Sequence, residues 1–313
     1  MNDKSFGAMM EEFRKAGEFT PEMVNIGGTL RSEETERFID LVVKGNPILS
    51  RVTVDRARKL TKDVNVWELL RGVLQRVPQG EKPDKFTSFK NVGKKLEMKD
   101  AQLFSHIPMD YLRDNQHRPG LESMVGSRLA ETYGNDVTLL AFTGTADDFA
   151  GKAFDKLNKG WPQLLKDASG SHKVDVSDHT GGTPAAVNWE GLFSAMVEQL
   201  PDVYKGDKTV FLMSRGDAEL YQRQIGQMVG GLGHLLSKQN LTYLGYEIVS
   251  LNEMPRGHVI FTPLPNLVYG VNTSMERYRE YSGEERCIKY TFDSSFDFQV
   301  AVDDAAVIAW DKP

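Results

Sequence analysis

The sequence predicts a mixed α+β fold, on three observations. Leu121, Val125, Leu129, Tyr133, Val137 and Leu140 recur at helical spacing, which predicts one helix of about 20 residues, roughly 30 Å long. After Trp189 the pattern alternates between helical faces and short apolar strands. The chain then closes on a group of alternating strands, Cys287 to Phe292, Phe296 to Val302 and Ala306 to Trp310.

The elements follow in order. Residues 1 to 50 read as an arm: Phe6, Met9, Met10 and Phe13 make a short amphipathic set, and Gly27-Gly28 interrupts it. A helix is predicted from Ser32 to Val43, burying Phe38, Ile39 and Val42, with Ser32 as N-cap and glutamates in the first turn. Arg51 to Asp55 alternates like a strand. From Gln75 to Lys99 the chain is rich in lysine and broken by Pro78, Gly80, Pro83 and Gly93, which reads as a solvated β-hairpin or a long binding loop.

The long helix has Pro119 near its start, and Gly144 where a left-handed residue ends a helix. Gly134 in its middle costs about 1 kcal/mol relative to alanine. A helical stretch around Phe154, Leu157, Trp161 and Leu165 follows, and then a polar region from Ser169 to Thr183. Trp189, Leu192, Phe193, Met196, Val197 and Leu200 form the next helical face, and Thr209 to Met213 an apolar strand. Ser214 is placed to cap the following helix, with Asp217 at the reciprocal capping position and Leu220, Ile225 and Met228 further along. Tyr246 to Leu251, His258 to Thr262 and Asn266 to Gly270 read as strands separated by Pro/Gly turns.

Composition limits the function classes. The 313 residues carry 38 basic and 44 acidic side chains, a net charge of -6, which does not suit a protein held mainly by phosphate contacts. The charge is uneven. Residues 51 to 99 hold 13 Lys/Arg against 6 Asp/Glu, a local +7 that leaves -13 for the rest and makes that segment complementary to other copies of the chain. Cys287 is the single cysteine, so no intrachain disulfide forms and a reducing compartment fits. No stretch reaches the roughly 18 apolar residues of a membrane span, and the first 20 residues lack a signal-peptide pattern. The sequons at Asn240 and Asn272 read as chance.

Catalytic motifs are largely absent. Gly144 to Lys152 has the wrong spacing for a phosphate loop, with Ala153 where Ser or Thr is needed, and Gly231-Leu-Gly233 has Leu236 at the third glycine position. No Gly-x-Ser-x-Gly elbow occurs. His172, Asp175, Asp178 and His179 form a ligand-like cluster, imidazole and carboxylate being donors that divalent metals accept. The same residues serve turns and solvent in a glycine-flanked loop. No metal or cofactor is expected.

An arm, an extended basic loop, a long helix ending Ala141-Phe-Thr-Gly-Thr, and then Phe154-Asp-Lys-Leu-Asn-Lys-Gly-Trp161 resemble the major capsid proteins of tailed bacteriophages. The stretch Phe193 to Leu200, Gly245-Tyr-Glu-Ile-Val and Met254-Pro-Arg-Gly-His-Val look like the axial domain of those proteins. The resemblance implies the Hong Kong 97-like phage capsid fold. It places an N-terminal arm over residues 1–50, an extended loop with the first strands over 51–100, and a peripheral domain with the spine helix over 101–190. An axial domain then covers 191–285, and return strands to the peripheral domain 286–313.

What the resemblance implies is a structural, non-catalytic subunit of an icosahedral shell, assembled in the host cytoplasm into the virion capsid. The shell packages double-stranded DNA without sequence specificity. The chain's partners are then itself, in pentamers and hexamers, with a separate scaffolding protein, a portal and a decoration protein. The roughly 50 residues ahead of the first strand are too few for a cleaved scaffolding segment. Lys82, Lys85, Lys90, Lys94 and Lys95 are expected to make non-covalent contacts with a neighbouring subunit, and Leu121, Val125, Leu129 and Val137 to pack the spine helix. Two alternatives stay open. One is an encapsulin-like compartment, which the long arm disfavours; the other is a soluble α/β enzyme using the His172 to His179 loop.

Overall fold

The computed structural model describes residues 26–29, 32–64, 93–115, 121–146, 153–181, 186–228 and 241–311. The fold is α+β. The chain begins with β1 (Ile26–Thr29), α1 (Ser32–Gly45), β2 (Thr53–Ala57), β3 (Thr61–Val64), β4 (Lys94–Glu97), β5 (Lys99–Pro108), α2 (Met109–Asn115) and α3 (Leu121–Thr143). Next come α4 (Trp161–Asp167), β6 (His172–Asp175), β7 (Thr180–Gly181), β8 (Ala186–Val187), α5 (Trp189–Gln199), β9 (Thr209–Ser214) and α6 (Arg215–Met228). The remaining strands are β10 (Thr242–Tyr243), β11 (Tyr246–Leu251), β12 (Val259–Pro263), β13 (Leu267–Asn272), β14 (Glu276–Ser282), β15 (Cys287–Val300) and β16 (Val307–Trp310).

Two six-stranded sheets dominate. The first runs β1-β14-β15-β13-β2, with β5 also paired to β15; the second runs β10-β11-β9-β12-β16-β6. The second sheet is covered on both faces: β9 is buried at every position and β12 at all but Pro263, with apolar side chains at most of them. Phe211, Met213, Val259, Phe261, Val307 and Ala309 face a core closed by Trp189, Leu192, Phe193 and Met196 of α5. The alternate residues Val210, Leu212, Ile260 and Ile308 face the other way, into a core shared with Leu267, Tyr269, Val271, Phe296, Phe298 and Val300 of the first sheet. Trp161 and Leu165 of α4, both fully buried, fill the seam between the sheets.

The described side chains of the long helix turn one face into the core. Tyr133, Val137, Leu140 and Ala141 enter the common core with Ile39 and Val42 of α1. Gly134 faces α1, where a Cβ would lie 3.4 Å from the Val42 carbonyl oxygen, an ordinary contact distance. Beside it, Thr138 Oγ1 donates to the Gly134 carbonyl and accepts from Asn46 Nδ2, each at 2.8 Å, while Asn46 Oδ1 accepts from the Ile48 and Leu49 amides. The polar turn after α1 is thus satisfied inside the core.

Several expectations change. Gly144 does not adopt a left-handed backbone; the positive-φ glycines among the described residues are Gly245 and Gly257. Its role is close approach, because a Cβ would sit 2.3 Å from the Asn158 carbonyl oxygen. Cys287 to Val300 is one strand of 14 residues, not two. The intervening Ser294 and Ser295 are buried, with Ser294 Oγ accepting from Tyr133 Oη at 2.9 Å and Ser295 Oγ donating to Asp100 at 2.6 Å. Gly27-Gly28 lies within β1, paired with Tyr278 and Arg277 of β14. Phe154 and Leu157 are exposed around a single 3-10 turn, so that stretch is helical only from Trp161.

On α6 the buried face is Ala218 and Tyr221, and Leu220 is exposed. Ser214 Oγ accepts from the Asp217 amide at 3.1 Å as an N-cap, but the Asp217 carboxylate reaches outward to the Gly257 amide at 2.8 Å. Sheet membership also differs from the expected segment borders. The strands β13 and β14 belong to the first sheet, and the chain leaves the second sheet at Leu264–Asn266 instead of near 285. The final strand β16 does not return to the first sheet; it lies in the second, between β12 and β6. Asn272, a sequon residue, is buried at the end of β13.

Candidate assembly surfaces

Two features extend beyond the common core. The first is the pair β3 and β4, antiparallel with Thr61 opposite Glu97 and Val64 opposite Lys94, the base of the basic hairpin. This base is held to the first sheet. Leu96 is fully buried against Gly270, where a Cβ would be 3.0 Å from Leu96 Cδ1, so glycine in β13 makes the seat. Glu97 donates its amide to Asp297 Oδ2 at 2.9 Å, and Gln299 Nε2 donates to the Lys95 carbonyl at 3.0 Å. Burial pushes the Asp297 carboxyl above the usual carboxylate range, partly offset by the Glu97 and Phe298 amides.

The expected contact lysines separate at this point. Lys94 turns inward and its ammonium is paired with Asp303 of its own chain, whereas the Lys95 side chain is exposed. Lys82, Lys85 and Lys90 lie outside the described residues. On α3, Leu129 and Val137 are buried; the side chains of Leu121 and Val125 lie outside the described residues.

The second feature is a ribbon made by β14, the first half of β15, and β5. None of the ten residues of β5 is fully buried, and exposure alternates along it. Register places Phe104, Thr291 and Tyr278 on one rung, His106, Lys289 and Glu280 on the next, and Pro108, Cys287 and Ser282 beyond. The opposite face of the ribbon packs inward, with Phe292 stacked on Phe38 of α1 at 5.7 Å. The outward face forms an open groove of about 630 Å³, with Cys287, Lys289 and Thr291 along its centre and Phe104, His106, Tyr278 and Glu280 on the flanking strands. Phe104 is 66% exposed in it. A large aromatic held in solvent on an edge strand with no charge between Ala101 and Pro108 is the kind of surface that soluble chains cover.

The groove has no activated nucleophile. Burial, and then the Glu285 carboxylate 3.5 Å from its Sγ, push the Cys287 thiol up, so the thiolate is disfavoured. Glu285 itself is held down first by Lys289 at 2.8 Å. Of the cluster His172, Asp175, Asp178 and His179, the first two have local partners. His172 Nε2 is 3.0 Å from Asp304, and Asp175 Oδ1 accepts from the amide and hydroxyl of Ser177. Among the described residues no three His, Cys, Asp or Glu side chains gather as a metal site, and no helix is long and apolar enough to cross a membrane.

The arrangement of the two sheets and the long helix is the Hong Kong 97-like capsid fold. No family model matches the sequence, and no curated protein matches it. The likeness is to solved structures. A chain of the satellite phage P4 procapsid that includes the size determination protein is 12% identical with a TM-score of 0.68, covering 88% of this chain and 98% of that one. The capsid of a native GTA particle is 14% identical with a TM-score of 0.58, covering 95% of each chain. The holo-SrpI encapsulin complex of Synechococcus elongatus is 10% identical with a TM-score of 0.52, covering 85% of this chain and 87% of that one. At these identities what is shared is the fold, and it is the fold of capsid and shell proteins.

Proposed function

We propose that this chain is a major capsid protein, a structural and non-catalytic subunit that self-assembles through pentamers and hexamers into an icosahedral shell around double-stranded DNA. The observation that carries this is the coverage: the capsid fold accounts for 88% of this chain and 98% of the procapsid chain it resembles, which leaves little room for a catalytic module. The exposed ribbon groove and the basic segment support it. The groove is a surface that the single chain leaves open, and the local +7 of residues 51 to 99 would steer that segment onto an acidic neighbour.

On this reading residues 1–50 act as the arm and 51–100 as the extended loop laid on a neighbour, its lysines supplying steering and register. The first sheet with α3 is the peripheral domain. The second sheet with α5 and α6 is the axial domain, taking in β6 and β16 as well. Scaffolding, portal and decoration proteins are the expected partners, and the site of action is the virion capsid after assembly in the host cytoplasm. The acidic balance suits a wall that contains DNA without adhering to it.

The encapsulin match favours a second reading, a compartment loaded with protein. Electron microscopy of the purified full chain tests the first proposal, with closed shells expected; stable monomers or dimers at high concentration would overturn it. Nuclease-protected DNA inside the particles favours the capsid. Protein cargo without nucleic acid favours the compartment.

A further inference from the structure

Away from these surfaces, a polar contact spans the seam between α4 and the second sheet. Lys166, on the last turn of α4, places Nζ 2.8 Å from Nε2 of His258, the residue before β12. The other ring nitrogen, Nδ1, is 3.1 Å from the Arg256 carbonyl oxygen. A carbonyl only accepts, so Nδ1 carries the proton and the Nε2 lone pair receives the Lys166 ammonium. The ammonium also stands 5.6 Å from the Trp310 ring centroid at the end of β16. Lys173 Nζ of β6 donates to the Lys166 carbonyl at 2.7 Å, and the loop before His258 is held by Asp217 at the Gly257 amide.

We propose that Lys166 and His258 form a proton-sensitive clasp between α4 and β12, closed while the imidazole is neutral and released when it takes up a second proton. An imidazolium has no acceptor at Nε2, and the contact would then set two cations against each other in a half-buried site. The charged groups around the ring are Lys166 and Asp167 on α4, Asp217 on α6, and Arg256 in its own loop. Asp167 is occupied by Lys159 and Gln163, and Asp217 by the Gly257 amide, so neither replaces the lost bond.

Burial first, and then the Lys166 charge, hold His258 below the ordinary imidazole value of 6.5, against the Arg256 carbonyl and Asp217. Burial lowers Lys166 too. The sign follows: a base whose folded pKa is depressed contributes stability above its unfolded value, and this is lost as pH falls from 6.5 toward the folded value. Trp161 and Leu165 keep the same helix anchored in the common core, so release frees the end of α4 and the loop before β12 without separating the sheets.

Hydrogen exchange of the full chain between about pH 7.5 and about pH 5.5, corrected for intrinsic rates, tests the clasp. Protection over residues 161–173 and 254–260 should fall by up to about tenfold per pH unit below 6.5, while α5 stays unchanged. His258→Gln keeps an acceptor for Lys166 but does not titrate, and should remove the pH dependence; Lys166→Met should weaken it. Wild-type protection that ignores pH, or an equal fall in His258→Gln, would overturn the proposal. Should that variant not fold, the imidazole titration of wild-type His258 by NMR decides: a midpoint at or above 6.5 rejects the clasp.

Discussion

Asn266 and Val302 hold each other reciprocally: the Val302 amide donates to Asn266 Oδ1 at 2.8 Å, and Asn266 Nδ2 donates to the Val302 carbonyl at 2.9 Å. Asn266 Nδ2 also reaches Thr262 Oγ1 at 3.1 Å, and its carbonyl accepts from the Ala301 amide. One buried amide thereby joins the segment leaving β12 to the segment leaving β15. Asn266→Ala should destabilise the chain by about 1–3 kcal/mol, since it strands buried backbone groups. Chemical denaturation measures this; an unchanged midpoint would show that the junction is held by other contacts.

Gly144 and Gly160 form a second close junction, with the Gly160 amide donating to the Gly144 carbonyl at 3.0 Å. Gly144→Ala would press a methyl group onto the Asn158 carbonyl, and a loss of about 1–3 kcal/mol is expected by thermal unfolding. Gly226→Ala, in an open position on α6, should instead gain up to about 1 kcal/mol. Equal effects at the two sites would contradict the steric account.

Phe104→Asp changes a side chain that packs against little in its own chain. Circular dichroism and melting temperature should match the wild type, while particle yield falls several-fold. Normal shells from this variant would remove the ribbon groove from the list of subunit contacts.

Replacing Lys82, Lys85, Lys90 and Lys95 with glutamate should leave a folded subunit that does not form shells. Lys94 is best kept, because its pair with Asp303 fixes the hairpin base. Adding Lys94→Glu should lower the melting temperature as well as assembly. Assembly of the fourfold variant at the wild-type level would reject the charge argument.

The Cys287 thiol is raised by burial and then by Glu285, so at about pH 8 the thiolate fraction is small and an aromatic disulfide reagent should react slowly. Glu285→Gln removes the anion and should speed the reaction. No change would mean that access alone limits it.

Where one element carries its own signal, the sequence was readable. The stripe on α3 and the faces of α1 and α5 declared themselves, because each buries a continuous apolar edge. Strands stabilised by neighbours did not. The run Glu-Arg-Tyr-Arg-Glu-Tyr-Ser of β14 drew no assignment from sequence, and it becomes a strand by pairing with β15 on one side and β1 on the other. In β15, Asp293-Ser-Ser reads as a break, but Tyr133, Ala101 and Asp100 satisfy its hydroxyls from distant parts of the chain. Gly144 was noticed for the wrong reason, since a steric demand from Asn158 cannot be seen in local sequence. The groove combines β5, β14 and β15, so only the pairing register could reveal it. Of the basic segment, charge was legible but orientation was not: nothing local distinguishes inward Lys94 from outward Lys95.

The chain passes from one sheet to the other in the segment 109–171 and at the connections 264–266 and 301–306. A cut at 264–266 leaves neither sheet with all its strands on one piece, whereas a cut at 168–171 keeps every strand of the second sheet together and one at 301–306 every strand of the first. Under tension the consequence is mechanical. A pull that separates the sheets is shared by three covalent connections.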